Sequence, residues 1–408
     1  MSDIKTIQQD FPILAKKIGG NNLVYFDNGA TSQKPKAVLW AEKEYYEKFN
    51  ANVHRGIHLL AEEATQQYEH TRAKTAEFIG AASEKEIIFI RNTTEATNLV
   101  AYAWGRMNIS SGDEIVTTVM EHHSNFLPWR QLALENNAVL KVADIDDRGR
   151  LMDLAKAVTK KTKLVAIAHV SNVLGTINPI KEIIKSVRSR FPNIVFVVDG
   201  AQAVPHFSVD AVDLDVDFYA FSPHKAFGPM GIGVIYGKQK ILEQMPPFLF
   251  GGGMITIVTL KNVEFADLPD KFEAGTPNVA GAVGLAAAID YLKKISYEQI
   301  GKQEAGIMKM MLEKIKKFPE ITLYGPPTVE GRVPTFSFSI QGVHPHDAAQ
   351  FLNDRHGIAV RAGQHCTGPL HEYLGVPATI RASLAFYNTE EEVNIFIKAV
   401  KDLIETFS

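Results

Sequence analysis

The chain reads as an α/β protein: a large domain built on a mostly parallel sheet sandwiched by helices, followed by a smaller α+β domain. Three observations predict this. Between residues 86 and 237, short β-branched apolar runs recur, each closing on a polar residue, with helical or loop sequence between them. After residue 237 the pattern turns Gly- and Pro-rich, and from about residue 290 helices alternate with strands. At 408 residues the chain is long enough for two domains. The expected division is an N-terminal arm at 1–20 packing with the small domain, a large domain at 21–290 and a small domain at 291–408.

Along the chain, Ile4, Ile7, Phe11 and Leu14 have roughly helical spacing. The strand-like runs follow: "EIIFIRNTT", "DEIVTTVMEHH", "TKLVAIAHVSN", "NIVFVVDGAQ", "DFYAFSPHK" and "GIGVIYG". "NLVAYAWGRM", "FLPWRQLALENN" and "IKEIIKSVRSRFP" supply helical connections. "PPFLFGGGMITIVTL" reads as loop or hairpin, and "EAGTPNVAGAVGLAAAIDYLKKI" as a turn and a small-residue helix. "TFSFSI" and "GIAVRAG" are later strands.

The composition is 46% hydrophobic and 22% charged, with a formal charge of -3. Near-neutral charge and the absence of a dense Lys/Arg block give no reason to expect nucleic acid or an anionic membrane as partner. No apolar run reaches the roughly 20 residues of a bilayer span, and no signal pattern opens the chain, so a cytoplasmic location is expected. Cys366 is the only cysteine, so no internal disulfide forms and any thiol chemistry falls to it.

In open sheets of this type ligands bind beyond the carboxyl ends of the strands. Those ends carry Thr93 and Thr94, Glu121 and His122, Asn172, Asp199 and Gln202, and His224 and Lys225. Asp199 opens an Asp-Gly turn, and such a carboxylate also suits a cationic ring nitrogen. Thr93 and Thr94 stand where a helix starts, as caps or as an anion cradle, with Ser222 and His224 as further donors. A lysine amine, once deprotonated, condenses with an aldehyde to a Schiff base, and Lys225 is placed for that. These groups match the needs of pyridoxal phosphate, with His122 flat on its ring or handling protons.

"FSPHKAFGPMGIG", "VDGAQA", "TTEATN", "MEHHSN", "HVSNVLGT", "VHRGIHLLAEEAT", "FEAGTPN" and "VRAGQHCTGPL" follow one another in family-like order. In these motifs the chain resembles the Suf-type, group II cysteine desulfurases of the class V aminotransferase family, from about residue 10 onward. The resemblance implies a fold-type I pyridoxal 5'-phosphate enzyme acting as a homodimer with its sites at the subunit interface. It implies that Lys225 holds the cofactor covalently, Asp199 pairs with the ring nitrogen, Gln202 with the ring hydroxyl, and His122 stacks on the ring. Thr94, Ser222 and His224 would bind the phosphate, with Thr93 beside them and Thr276 reaching in from the other subunit. Asn172, which would also contact the cofactor, and Arg381 would grip the substrate carboxylate, with Arg361 and Arg55 also on the substrate side of the site.

Cys366 lies in a polar, Gly-rich loop where Arg361 and His365 could favour the reactive thiolate. The implied reaction converts L-cysteine to L-alanine. Lys225 moves the α-proton, Cys366 takes the sulfur as a persulfide, and a sulfur-acceptor protein of the Suf system collects it for iron-sulfur cluster assembly. The loop is short, which in this family goes with the Suf-type group. Gln364 stands where relatives often have His, and Gly29 where Ala is common, the latter expected to matter to backbone shape alone. A selenocysteine lyase shares these groups, so L-selenocysteine stays open as a substrate. Another class V enzyme would need no Cys366. "VHPHD" (His344, His346, Asp347) has alternate-residue metal ligands but no companions, and is expected to be loop histidines opening a helix, with no metal.

Overall fold

The computed structural model describes residues 4–407, so the first three residues of the expected arm and the final residue lie outside it. Seven strands form the main sheet: β1 (Ile87–Ile90), β2 (Glu114–Thr118), β3 (Val139–Ala143), β4 (Thr162–Ala168), β5 (Val195–Asp199), β6 (Phe218–Phe221) and β7 (Gly233–Gly237). Their order is β1-β7-β6-β5-β4-β2-β3. Only β7 runs against its neighbours. β2 with β3 and β4, β4 with β5, and β5 with β6 are all parallel pairs. Because β7 is antiparallel to both β1 and β6, β1 points the same way as the rest, and six strands present their carboxyl ends along one edge.

Side chains alternate across each strand, so one run feeds two cores. Phe196 and Val198 of β5 enter one cluster, and Val195 and Val197 the other. The continuous apolar runs therefore report burial on both faces. β3 is an edge strand that the apolar runs do not announce, since its half-exposed "VLKVA" lacks that signal.

A four-stranded sheet follows: β8 (Ile321–Tyr324), β9 (Thr335–Ile340), β10 (Arg361–Gly363) and β11 (Thr379–Ser383), in the order β8-β9-β11-β10. Helices Tyr297–Ile315, Pro345–His356 and Glu390–Phe407 contribute Met311, Leu352 and Phe396 to a third core beside Phe336 and Phe338. "GIAVRAG" divides in two. Ile358–Ala359 pairs in parallel with Val24–Tyr25, while β10 pairs with β11. Val24 and Phe26 thus join the third core, and the chain crosses between the two bodies near its start.

The N-terminal periodicity resolves into a short helix, Ile4–Gln8, and a 3-10 turn, Pro12–Ala15, because Pro12 cannot continue the α ladder. Phe11 is buried against Phe227, Tyr291, Phe386 and Tyr387, so the arm joins residues from both halves of the chain and is not confined to the small body. The expected hairpin is present as Ile255–Val258 and Val263–Phe265, largely exposed. His344 accepts from the His346 amide at the start of helix Pro345–His356. Among the described residues no helix is long and apolar enough to cross a membrane.

Removing the Phe11 ring leaves a void between four aromatic rings. Phe11→Ala is expected to cost about 3–5 kcal/mol, read as a lower urea midpoint at unchanged slope.

Candidate active site

One pocket at the carboxyl edge of the main sheet gathers Thr93, Thr94, His122, Asn172, Asp199, Gln202, Ser222, His224, Lys225, Arg361, Cys366 and Arg381. Thr276 and Arg55 lie in a second cleft with His54, Gly252 and Glu273. The cause of this gathering is topological. β2, β4, β5 and β6 end side by side, and each chain reversal leaves its polar residue at that edge.

Asp199 ends β5 buried, and its Oδ1 accepts from the Ala201 amide at 2.9 Å. The Asp-Gly turn and the pocket role therefore coexist, since among the described residues nothing donates to Oδ2. Gly200 is required here, because a β-carbon would stand 2.1 Å from the Tyr219 ring. Burial raises the Asp199 carboxyl above its usual range, opposed by the nearby Lys225 ammonium. Burial likewise lowers Lys225, against the pull of Asp199. Lys225 keeps a face open to the pocket, but its charge is shut in by protein, which favours the neutral, nucleophilic amine.

The turn Pro223–Lys225 is held from a distance. The His224 carbonyl accepts from the Ser32 amide (3.0 Å), Thr31 Oγ1 (3.0 Å), Ser32 Oγ (3.2 Å) and Lys34 Nζ (2.9 Å). Ser32 Oγ also receives the Phe227 amide at 2.8 Å. Burial brings Lys34 down to about 8. Sequence reasoning missed this latch. "TSQK" between Gly29 and Pro35 is a dense run of donors, but nothing local ties it to a carbonyl some 190 residues away.

Thr93 is buried, and its amide and hydroxyl both meet Ser222 Oγ, at 2.9 and 2.8 Å. The helix cap is Asn92, whose Oδ1 accepts from the Glu95 amide, not Thr93. Thr94 is exposed. Gln202 is buried and donates from Nε2 to the Gly29 carbonyl at 2.7 Å. At Gly29 a β-carbon would stand 3.3 Å from Arg381 Cζ, so this glycine bears on the guanidinium as well as on backbone shape.

Arg381 is buried, with Nη1 on the Asn172 carbonyl at 3.0 Å and Nη2 on Asp27 at 3.3 Å, while Nε has no partner among the described residues. A buried guanidinium N–H left unpaired beside the pocket fits a carboxylate from a ligand. Asn172 commits one Nδ2 hydrogen to the His365 carbonyl at 2.9 Å. Arg361 forms a two-pronged pair with Asp27, at 3.1 and 2.9 Å, which holds its charge on.

The histidines in the pocket are neutral at physiological pH. Burial, with Lys225 nearby, takes His122 down to about 3, and burial takes His224 to about 4. His122 Nδ1 receives the Ser124 amide at 3.1 Å, so its proton sits on Nε2. His365 is buried, held near 2 by burial with Arg381 adjacent, and bonded through Nε2 to Thr379 Oγ1 at 2.9 Å. It therefore brings no positive charge to Cys366, contrary to the sequence expectation. Cys366 is exposed and interacts electrostatically with Lys225, Arg361 and Arg381. His365 and Cys366 both have left-handed φ, 51° and 58°, a strained arrangement for side-chain-bearing residues.

The donor set fits pyridoxal phosphate: an amine freed of its charge, a buried carboxylate with an unused oxygen, hydroxyls from Thr93, Thr94 and Ser222, and an unpaired guanidinium N–H for a substrate carboxylate.

The profile of the aminotransferase class-V family matches residues 24–396. A probable cysteine desulfurase of Halalkalibacterium halodurans is 48% identical, covering 98% of each chain. A cysteine desulfurase of Haloferax volcanii is 45% identical over 100% of this chain and 98% of that one. In structure the chain is similar to an apo cysteine desulfurase from Thermococcus onnurineus, with a TM-score of 0.94 and 41% identity over 100% of this chain and 99% of that one.

Because His365 stays neutral when folded but protonates near pH 6.5 when unfolded, the folded state loses stability as pH falls from 6.5. His365→Gln is expected to remove that share, about 1.4 kcal/mol per pH unit, seen as a flatter acid limb of urea midpoint against pH relative to wild type.

Proposed function

The chain belongs to the class-V aminotransferase family and is a pyridoxal-phosphate-dependent cysteine desulfurase, and we propose that it is of the Suf type, working as a cytoplasmic homodimer that passes sulfur to an acceptor protein for iron-sulfur cluster assembly. The observation that carries the reading is Cys366, the only thiol, on the rim of the pocket whose floor holds Lys225 and Asp199.

Lys225 is the residue that would hold the cofactor, with Asp199 facing its ring nitrogen, Gln202 its hydroxyl, and Thr93, Thr94, Ser222 and His224 its phosphate. When bound, pyridoxal phosphate supplies a sink for the electron pair left by the substrate's α-proton. Burial of Lys225 keeps its amine able to take that proton. Arg381 Nε, the unpaired donor, would orient the substrate carboxylate, with Asn172 beside it and Arg361 at the rim. His122 presents its Nε2 proton to the pocket as a donor. Cys366 Sγ accepts the substrate sulfur, so that L-cysteine and the Cys366 thiol become L-alanine and a Cys366 persulfide, with atoms and electrons in balance. L-selenocysteine carries the same amine and carboxylate as L-cysteine, and both belong in the test.

The Suf-type assignment is supported by the short, hydrogen-bonded Cys366 loop, in which the Thr367 amide and hydroxyl both return to the Gln364 carbonyl at 2.9 and 2.7 Å. A thiol so confined needs an acceptor to come to it. The homodimer is supported by the second cleft, where Thr276 and Arg55 sit apart from Lys225, and by exposed Leu249, Phe250, Val258 and Leu260 nearby in sequence. The buried Arg72–Glu273 pair, with Glu273 Oε1 also accepting the Phe89 amide at 2.7 Å, holds the Thr276 segment firm for such a partner. The division at 1–20, 21–290 and 291–408 belongs to the same proposal; in its support, the third core draws its buried residues from Ile307 onward apart from Val24 and Phe26.

Cys366→Ala is expected to retain bound-cofactor absorbance and to form no alanine or sulfide from L-cysteine or L-selenocysteine. Wild type without reductant should stop after about one equivalent of alanine per chain. Sulfide release by the alanine variant would overturn the persulfide role. Mixing Lys225→Ala with Thr276→Ala chains should restore part of the activity lacking in each alone, since one mixed site then has both residues. No recovery on subunit exchange would count against a shared site.

A further inference from the structure

Two histidines follow β2, and the mechanism uses only the first. We infer that His123 is a positioning residue for the sulfur-accepting thiol: its main-chain amide and its Nε2 together hold the turn that presents Cys366. This rests on the role proposed for Cys366.

The turn does not hold its own shape. His365 and Cys366 occupy the left-handed region in succession, after Gly363 at φ 124°. The return of Thr367 to the Gln364 carbonyl closes the turn but leaves the His365 and Cys366 carbonyls and the Gly368 amide to be paired from elsewhere. Three bonds from outside take them up. Asn172 Nδ2 donates to the His365 carbonyl at 2.9 Å, the His123 amide donates to the Cys366 carbonyl at 2.7 Å, and the Gly368 amide donates to His123 Nε2 at 3.0 Å. Two of the three end on His123.

The first His123 bond is available to any residue at that position, but the second needs an acceptor at the reach of Nε2. Receiving an N–H, that nitrogen is bare and the ring proton sits on Nδ1. Burial lowers the imidazole from its ordinary value and keeps it so. The His122 and His123 rings lie 6.3 Å apart on one 3-10 turn, so a single reversal sets both the imidazole in the pocket and the anchor of the thiol loop.

The test compares cofactor-loaded His123→Ala and His123→Gln with wild type, the glutamine amide oxygen standing in for Nε2. For His123→Ala, kcat for alanine formation from L-cysteine should fall about tenfold or more, with KM within about twofold and cofactor absorbance unchanged. The rate of Cys366 alkylation by iodoacetamide, followed by mass spectrometry, should change several-fold, and His123→Gln should recover most of both. A wild-type alkylation rate in His123→Ala overturns the inference, as does a glutamine variant as impaired as alanine. If wild type forms no alanine, the desulfurase reading fails, while the alkylation comparison still decides the role of His123.

Discussion

Withdrawal of the Lys225 ammonium from water, with Asp199 buried opposite, is the constraint on which the other features of the site depend. Either charge alone would be costly at the bottom of this pocket, and together each limits the shift that burial imposes on the other. The surrounding histidines add no charge, since His122, His224 and His365 are all held neutral. Positive potential in the pocket therefore comes chiefly from two arginines, Arg361 and Arg381, which share the Asp27 carboxylate. Arg381 is the buried one of the two, and its Nε has no partner among the described residues, which equips it to select an anionic ligand.

The pocket is assembled across two bodies of structure. Its floor belongs to the main sheet, while Arg361, Cys366 and Arg381 arrive from the second sheet, on or beside β10 and β11. The seam is stitched by polar contacts. Arg381 Nη1 reaches the Asn172 carbonyl, Asn172 reaches the His365 carbonyl, and Ser337 Oγ donates to Val173 at 2.6 Å. Apolar surface alone would let such bodies slide, whereas directional bonds at this spacing fix where the thiol stands relative to the amine.

Much of this is legible from residue order. The apolar runs announce buried strands, and the polar residue ending each run, above all Asp199 and Lys225, marks the site edge. What escapes is long-range or conformational. The half-exposed β3 has no continuous apolar run to announce it, and Pro12 breaks a periodicity that counting alone would extend. His365 looks like a cation beside a thiol until burial and Thr379 show otherwise. His123 shares its dipeptide with His122, and only the Gly368 amide, 245 residues away, reveals its separate task.

The four donors converging on the His224 carbonyl have a consequence for how the protein is loaded. Because Ser32, Thr31 and Lys34 clamp the turn before any ligand enters, the loss of conformational entropy at Lys225 is borne when the chain folds. An incoming aldehyde meets a stationary target, and its binding free energy is not drawn down by ordering the peptide that greets it.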